Sequence, residues 1–128
     1  VSGLVLVITL GTGIGGAMVH DGVLVPNFEV GSLELDGVMA ETRASAKARE
    51  REDLSWAEYA QRLQRFFSHV EHVFSPDLFI VGGGISKRPD DYLPLLSLRT
   101  PIVPAQLRNN AGIVGAALAA HDSLADAR

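Results

Sequence analysis

Continuous apolar runs and runs with helical spacing alternate along the chain. The runs LVLVITL (residues 4–10) and LFIVGGG (residues 78–84) are rich in β-branched and aliphatic residues, which is typical of strands buried on both faces. The shorter runs GAMVH and VLV flank Asp21-Gly22, a dipeptide that suits the positive φ angles of a tight hairpin turn. The pattern predicts a first strand, a hairpin, and a second buried strand much later in the chain.

The clearest helix signal follows Ser55. Ser55 and Glu58 have the spacing of a capping box, and Leu54 with Tyr59 has the spacing of a hydrophobic staple. Apolar residues then recur every three or four positions until the Ser-Pro pair at residues 75–76, where we expect the helix to end. The stripe predicted to face the core is Trp56, Tyr59, Leu63, Phe66, Phe67, Val70, Val73 and Phe74.

Weaker patterns complete the order of elements. Residues 40–52 are good helix formers with little apolar character, so they predict one exposed helix, and residues 33–35 predict a short extended piece. Residues 90–96 predict a short helix and residues 101–104 a short strand, and Asn110 is placed to cap a last helix of small residues. This order is mixed α/β with a hairpin at the front.

Length and composition narrow the class of protein. The 128 residues suit a single domain, 1–128, and a net charge of -4 without a basic stripe argues against nucleic acid as a partner. No run approaches the roughly 18 apolar residues of a membrane span, and no signal peptide opens the chain, so we expect no membrane contact and a cytoplasmic location. Without cysteine, neither disulfides nor a thiolate zinc site can form. The chain enters a buried strand after three residues and lacks an initiator methionine, so we expect a fragment whose N-terminal lobe is absent.

The glycines after the first strand raise the question of phosphate binding. Gly11, Gly13 and Gly16 fit the G-x-G-x-x-G pattern, but a dinucleotide site requires a helix after the loop, and here a hairpin follows. No P-loop motif is present either. What remains is a glycine-rich turn that lets backbone amides approach phosphate oxygens, with the Thr12 hydroxyl as a further donor. A plain sharp turn of small residues is an equally good explanation of this loop alone.

Gly82-Gly83-Gly84, at the end of the second buried strand, can also be either a ligand-binding loop or a plain turn. Glycines at the carboxyl end of a parallel strand leave room for a flat group against the backbone, at the edge where α/β sheets bind ligands. A simple turn after the strand explains them nearly as well. Two such loops in one domain favour a ligand site more than either does alone, because both can line one crevice.

Several polar side chains cluster after the hairpin and suit a sugar with neighbouring hydroxyls: Asn27, Glu29, Glu34 and Asp36. Acids in a surface loop are common, so without further context they are better explained as solvated residues. His69 and His72 are three residues apart and could share a metal, but adjacent core positions favour a structural or solvated role. We therefore assign no metal ligands.

The motifs taken together resemble a known family. The segments LGTGIGGAMVHDGVLVPNFEVGSLELDG, LSWAEY, FSPDLFIVGGGISKR and LRTPIVPAQLRNNAGIVGAAL are similar to the C-terminal half of bacterial polyphosphate glucokinases, a branch of the ROK sugar kinases. The similarity covers nearly the whole chain. It implies an α/β fold of the actin-like ATPase (ribonuclease H-like) type, of which this chain is the C-terminal lobe, with a mixed sheet, a leading β-hairpin and flanking helices.

The resemblance also implies an activity. The family transfers a phosphoryl group from polyphosphate or ATP, with Mg²⁺, to the 6-hydroxyl of glucose, and mannose is a second candidate acceptor. It is commonly a homodimer, and its polyphosphate branch lacks the zinc that many ROK proteins hold. The residues that match its phosphate motif are Gly11, Thr12, Gly13, Gly15 and Gly16, and those in the adenosine region are Gly82, Gly83 and Gly84.

The sugar-contacting motif of the family is Glu-x-Gly-His-x-Glu, and this chain departs from it. Glu29 and Glu34 match, but Ser32 replaces the histidine, and a serine hydroxyl is shorter and does not titrate near neutrality. The aspartate that takes the sugar hydroxyl's proton, and the first phosphate motif, belong to the N-terminal lobe, so we assign no catalytic residue and expect the chain alone to be inactive. Two other functions stay open: the sugar-sensing lobe of a ROK repressor, and a carbohydrate- or nucleotide-binding module without chemistry.

Overall fold

A mixed sheet with helices on its flank forms the fold of residues 3–105, the part of the chain that the computed structural model describes. Short 3₁₀ turns connect several of the elements. The strands and helices are β1 (Leu4–Leu10), β2 (Ile14–His20), β3 (Val23–Val25), β4 (Glu34–Leu35), β5 (Val38–Met39), α1 (Ala40–Ala44), α2 (Ala46–Arg51), α3 (Trp56–Phe74), β6 (Leu78–Gly82) and β7 (Ile102–Pro104).

The main sheet has the strand order β3-β2-β1-β6-β7. Strands β1, β2 and β3 pair antiparallel, whereas β6 pairs parallel with β1 and β7 pairs parallel with β6. The two short strands β4 and β5 form a separate antiparallel pair. The sheet is therefore mixed with a leading hairpin, as the sequence predicts.

Strand β1 lies at the centre of this sheet and is buried on both faces. Leu6, Ile8 and Leu10 belong to the larger core cluster together with α3, while Val5 and Val7 belong to a second cluster on the opposite face. Side chains of a strand alternate between its two faces, so a run that is apolar except for Thr9 requires apolar contacts on both. The prediction drawn from LVLVITL is confirmed.

The two turns of the β1-β2-β3 meander differ in how well the sequence predicts them. Asp21 and Gly22 have φ angles of 50° and 83°, as a tight two-residue hairpin requires, and that prediction is confirmed. The sequence predicts that the glycines at 11–16 break the first strand and that the second strand begins with GAMVH, but the break is shorter than this. Gly15 and Gly16 lie within β2 and pair with β1, so only residues 11–13 form the turn.

Helix α3 confirms the clearest helix prediction. The Ser55 hydroxyl accepts a hydrogen bond from the Glu58 amide at 3.1 Å, and the Glu58 carboxylate accepts one from the Ser55 amide at 3.0 Å. The helix ends before Ser75, which has a left-handed conformation with φ 47°. Val73 is 50% exposed and departs from the predicted stripe, because Phe74 continues the buried side and packs edge-on against Phe28 at 5.3 Å. Among the described residues, no helix is long and apolar enough to cross a membrane.

The prediction of one exposed helix over residues 40–52 is wrong. Ser45 has extended backbone angles and separates α1 from α2, and its hydroxyl caps α2 by accepting a hydrogen bond from the Ala48 amide at 3.1 Å. Ala40, Ala44 and Ala48 are buried, because small side chains let these short helices pack closely against the core. The polar composition of residues 40–52 does not predict this buried side, because it consists of alanines.

The short helix expected over residues 90–96 is also a different structure. Two separate 3₁₀ turns, Pro89–Asp91 and Leu93–Leu95, replace it, and a proline in the first positions of each turn limits the backbone hydrogen bonds available to a longer helix. The strand expected at residues 101–104 is present as β7. The helix expected after Asn110 lies outside the described residues.

An aromatic cluster joins the start of α3 to these turns. The rings of Trp56 and Tyr92 stack with centroids 5.9 Å apart at 18°, and the Arg49 guanidinium lies 3.8 Å from the centre of the Trp56 ring. The hydroxyl of the buried Tyr92 donates a hydrogen bond to the Ile85 carbonyl at 3.2 Å. The cluster thus holds the segment that follows Gly82–Gly84 against the helical side of the domain.

Candidate functional site

The turn between β1 and β2 is exposed at its tip and anchored at its base. The Gly11 amide donates to the Gly13 carbonyl at 3.0 Å, and the Lys47 amide, in α2, donates to the Gly11 carbonyl at 3.0 Å. Gly11 and Thr12 are exposed to solvent. The turn is therefore held by the protein on one side and open on the other, which is the arrangement that a phosphate-binding loop requires.

Glu41 joins this hairpin to the segment that carries the candidate sugar-binding acids. Its Oε1 accepts a hydrogen bond from the Ile14 amide at 3.1 Å. The same oxygen would contact a Cβ atom placed on Gly13, and it lies 3.0 Å from the position of a Cβ atom on Gly31. Sequence reasoning missed Glu41, because the two bonded residues are 27 positions apart and no spacing in the sequence links them.

The segment with the candidate sugar-binding residues passes directly against β2. A Cβ atom on Gly31 would overlap the Ile14 carbonyl oxygen, and one on Gly16 would lie 2.8 Å from the Val30 side chain. Only glycines allow the two backbones to approach this closely. The contact places the 3₁₀ turn Val30–Ser32 beside the start of β2.

The structure arranges the three predicted sugar-binding residues along this segment. Glu29 immediately precedes the 3₁₀ turn, Ser32 ends it, and Glu34 opens β4. All three residues are exposed. Exposed carboxylates that flank a fixed turn can accept hydrogen bonds from neighbouring hydroxyls of one ligand.

Two further polar residues singled out in the sequence contribute to turns. Asp36 has φ 56° in the β4-β5 connection and contacts the Arg65 guanidinium at 3.3 Å. Asn27 has φ 64°, a left-handed conformation that asparagine tolerates better than most residues. These conformations explain both residues without a ligand.

Gly82–Gly84 lies at the same end of the sheet as the hairpin turn. Gly82 pairs with Thr9 across the parallel β1-β6 ladder, and Gly83, with φ 90°, would place a Cβ atom 2.5 Å from the Leu10 carbonyl oxygen. Leu10 directly precedes Gly11. The two glycine turns are therefore neighbours at the carboxyl ends of parallel strands, where α/β sheets bind ligands.

The described residues do not form a metal site of their own. Among residues 3–105, no group of three or more His, Cys, Asp or Glu side chains is placed to hold a metal ion. Mg²⁺ in phosphoryl-transfer sites is held largely by the donor's phosphates and by water, with one or two carboxylates.

Comparison with known proteins places this geometry in a class. No protein-family model matches the chain. The fold is similar to that of the ROK hexokinase of Thermus thermophilus, with a TM-score of 0.70 at 22% identity over 96% of this chain and 58% of that one. The fold is thus the actin-like ATPase fold of the ROK sugar kinases.

Closer similarities lie within that class. The chain is 50% identical over 117 residues to the polyphosphate glucokinase of Mycobacterium tuberculosis, which is 91% of this chain and 44% of that protein. It superposes on the inorganic polyphosphate/ATP-glucomannokinase of Arthrobacter sp. strain KM with a TM-score of 0.85 and 70% identity, over 96% of this chain and 49% of that one. The resemblance to ROK polyphosphate glucokinases drawn from the sequence is confirmed, and the chain spans less than half the length of the curated relative named here.

Proposed function

We propose that the complete protein containing this chain is a hexokinase of the ROK type. It transfers a phosphoryl group from polyphosphate or ATP to the 6-hydroxyl of glucose, with mannose as a second acceptor. The 50% identity to a polyphosphate glucokinase supports this choice over a ROK repressor or a module without chemistry.

One geometric observation carries the proposal. The Glu41 carboxylate accepts a hydrogen bond from the Ile14 amide at the base of the hairpin and also lies beside Gly31 in the acidic segment. A donor phosphate at the hairpin and a sugar at that segment would consequently be neighbours. Holding both reactants in a fixed relative position is the main contribution that a protein makes to phosphoryl transfer.

The roles of the residues follow from this arrangement. The backbone amides of Thr12 and Gly13 and the Thr12 hydroxyl would hold the donor's phosphates, because the Gly11 and Ile14 amides already donate to the Gly13 carbonyl and to Glu41. Glu29, Ser32 and Glu34 would orient the sugar. Gly82–Gly84 would accept the adenosine of ATP. We assign the general base to an aspartate in a further N-terminal lobe, because Glu29 and Glu34 are occupied in binding.

Two properties of the complete protein remain predictions from the resemblance. These are a homodimeric state and a cytoplasmic location. Mg²⁺ would arrive with the donor and neutralise its phosphates, and no zinc is needed because the cysteine ligands are replaced by other residues in a chain that has no cysteine.

The decisive experiment compares the complete gene product with the 128-residue chain. We expect phosphorylation of glucose by the former, with polyphosphate and with ATP, and no measurable turnover by the latter. Turnover by the isolated chain at the rate of the complete product would contradict our placement of the general base. Tight binding of glucose without turnover in the complete product, under either donor, would favour the binding-module alternative.

Variants of the complete product test the residue roles. Glu29→Gln and Glu34→Gln are each expected to lower kcat/KM for glucose about 100-fold, because a carboxylate that accepts hydrogen bonds from hydroxyls is lost from the positioned sugar. Glu50→Gln is the matched control, because Glu50 is 71% exposed and contacts only Lys47, at 4.0 Å, among the recorded ion pairs of residues 3–105. Equal effects of all three variants would refute the assignment.

A further inference from the structure

A pocket lies on a different side of α1 from Glu41, between that helix, the β4-β5 turn and α3. Its volume is about 330 Å³, at the lower end of the range for small-molecule sites. Its floor is apolar and consists of Leu35, Ala40, Ala44 and Leu54. An apolar floor of this size open to solvent is a natural place for the hydrocarbon part of a ligand.

Three arginines line the pocket, but two of them already have partners. Arg62 forms a two-bond pair with the Glu52 carboxylate at 2.6 and 2.8 Å, and Arg65 contacts Asp36 at 3.3 Å. The carboxylate of Glu58, which also lines the pocket, accepts the Ser55 amide in the capping box of α3. These charges are therefore committed to holding the walls of the pocket together.

Arg43 is the remaining cation of the pocket wall. Within residues 3–105 it takes part in no recorded ion pair, whereas Arg62 and Arg65 do. Its carbonyl accepts a hydrogen bond from Arg62 at 3.1 Å, which fixes the end of α1 against α3. The backbone of Arg43 is thus held in place. Its positive charge helps to lower the pKa of Glu52, after the larger contributions of Arg62 and Arg51, but within residues 3–105 its guanidinium makes no direct ion pair and so can pair with an anion in the pocket.

We propose that this pocket binds a small organic anion. The apolar body of the ligand lies on the floor formed by Leu35, Ala40 and Ala44, and its carboxylate or phosphate group pairs with Arg43. None of the residues assigned to phosphate or sugar binding lines the pocket, so this site does not depend on the proposed kinase activity.

The test uses three probes that separate the two halves of the ligand. Hexanoate carries both an apolar body and a carboxylate, 1-hexanol carries only the body, and acetate carries the carboxylate with almost no apolar body. We expect calorimetric titration of the complete gene product to give the tightest binding for hexanoate, about tenfold tighter than for either other probe. Equal affinity for hexanoate and 1-hexanol would overturn the proposal, as would the absence of hexanoate binding up to the solubility of the probe.

Variants locate the binding. Arg43→Glu is expected to abolish hexanoate binding and to create binding of hexylammonium, whereas Arg43→Lys should keep the affinity for hexanoate within about threefold. Arg99→Glu is the matched charge reversal on a residue outside the pocket and should leave the affinity unchanged. Circular dichroism confirms that each variant is folded. An equal loss in the Arg43→Glu and Arg99→Glu variants would show a general charge effect and would overturn the proposal.

A second copy of the chain is the alternative occupant of this surface. In that case hexanoate would bind only after dilution had dissociated a dimer, and sedimentation would detect the change in mass. That result would make the surface an interface and would also overturn the proposal. Binding at the same affinity above and below the dissociation range supports a small-molecule site.

Discussion

The two glycine turns at the end of the main sheet are held in different ways. The hairpin turn is anchored by a carboxylate, since Glu41 accepts the Ile14 amide and lies against Gly13. The turn at Gly82–Gly84 is anchored through Ile85, the residue that follows it. The phenol hydroxyl of Tyr92 donates a hydrogen bond to the Ile85 carbonyl. One loop is thus fixed by an acceptor and the other by a donor, and the two should respond differently to substitution.

The glycines of these two turns are of two kinds: some are required by the fold and others are not. Cβ atoms on Gly13 and Gly83 would collide with Glu41 and with the Leu10 carbonyl, respectively. At Gly11 and Gly84 a Cβ atom would meet nothing within 4 Å, and neither has a positive φ angle. Each turn therefore contains one glycine without a structural reason, and the close approach of a ligand, which we propose for both turns, would supply such a reason.

The largest effect is expected from Gly83→Ala. The substitution forces alanine into φ 90° and places its methyl group 2.5 Å from a backbone oxygen, so it should lower the free energy of unfolding by about 3 kcal/mol. Denaturant unfolding measures this loss. Gly84→Ala is the neighbouring control and should change stability by less than about 0.5 kcal/mol. Equal losses would mean that the two positions are equally constrained.

Alkaline pH should weaken the second turn. Burial raises the pKa of Tyr92 from 10.0 to about 12, so the folded state favours the protonated phenol more than the unfolded state does. The resulting stability is complete below pH 10 and is lost as the pH rises from 10 to 12, by up to roughly 2 to 3 kcal/mol. We expect Tyr92→Phe to remove part of this alkaline slope in unfolding curves measured between pH 8 and about 11.

The remaining alkaline slope has a second source. Burial also raises the pKa of Tyr59, whose hydroxyl donates to the Ala44 carbonyl at 2.8 Å. Tyr59→Phe is therefore the companion variant. An alkaline slope that is unchanged in both variants would disprove the role given to these phenols.

Loss of the carboxylate that anchors the hairpin should have a moderate effect. Glu41→Ala leaves the Ile14 amide without its partner and should cost about 1 to 2 kcal/mol of stability. In the complete protein we also expect kcat/KM to fall at least tenfold, because the phosphate and sugar segments lose their common contact. Glu41→Gln keeps an acceptor oxygen and should retain most of the stability. If Glu41→Ala left both quantities unchanged, the hairpin would not depend on this contact.

The smallest effect on stability is expected from Gly11→Ala, which adds a methyl group in open space. Its effect should instead appear as a KM for polyphosphate or ATP raised about tenfold, because the methyl group would occupy the side from which we propose that the donor phosphate approaches. Steady-state kinetics on the complete protein measures it. An unchanged KM would mean that the absent Cβ atom at Gly11 serves no ligand.

Local signals explain what the sequence predicted correctly. The capping box at Ser55 and Glu58 involves residues three positions apart, so its geometry follows from the helix itself. The apolar run in β1 requires burial on both faces whatever surrounds it. For the same reason, the Asp21-Gly22 hairpin was predictable from two residues.

Contacts between residues distant in sequence explain the two wrong predictions, for the β1-β2 turn and for the helix over residues 40–52. They also explain why Glu41 was missed. Gly15 is predicted to lie in the glycine-rich turn, but it pairs with Thr9 within β2. A Cβ atom on Gly15 would collide with the Thr9 side chain, so the glycine there serves close packing and not the turn. The buried side of α1 and α2 consists of alanines, which give no amphipathic pattern. Glu41 owes its role to a residue 27 positions away, and no local rule reveals that pairing.

The aromatic cluster gives the protein a natural optical reporter. Trp56 is the one tryptophan among the 128 residues, and it stacks on Tyr92, seven residues after Ile85 in the segment that follows the second glycine turn. A neighbouring guanidinium 3.8 Å from the ring makes indole emission sensitive to small displacements of Arg49. Fluorescence of the unlabelled protein can therefore follow the unfolding of that turn in real time.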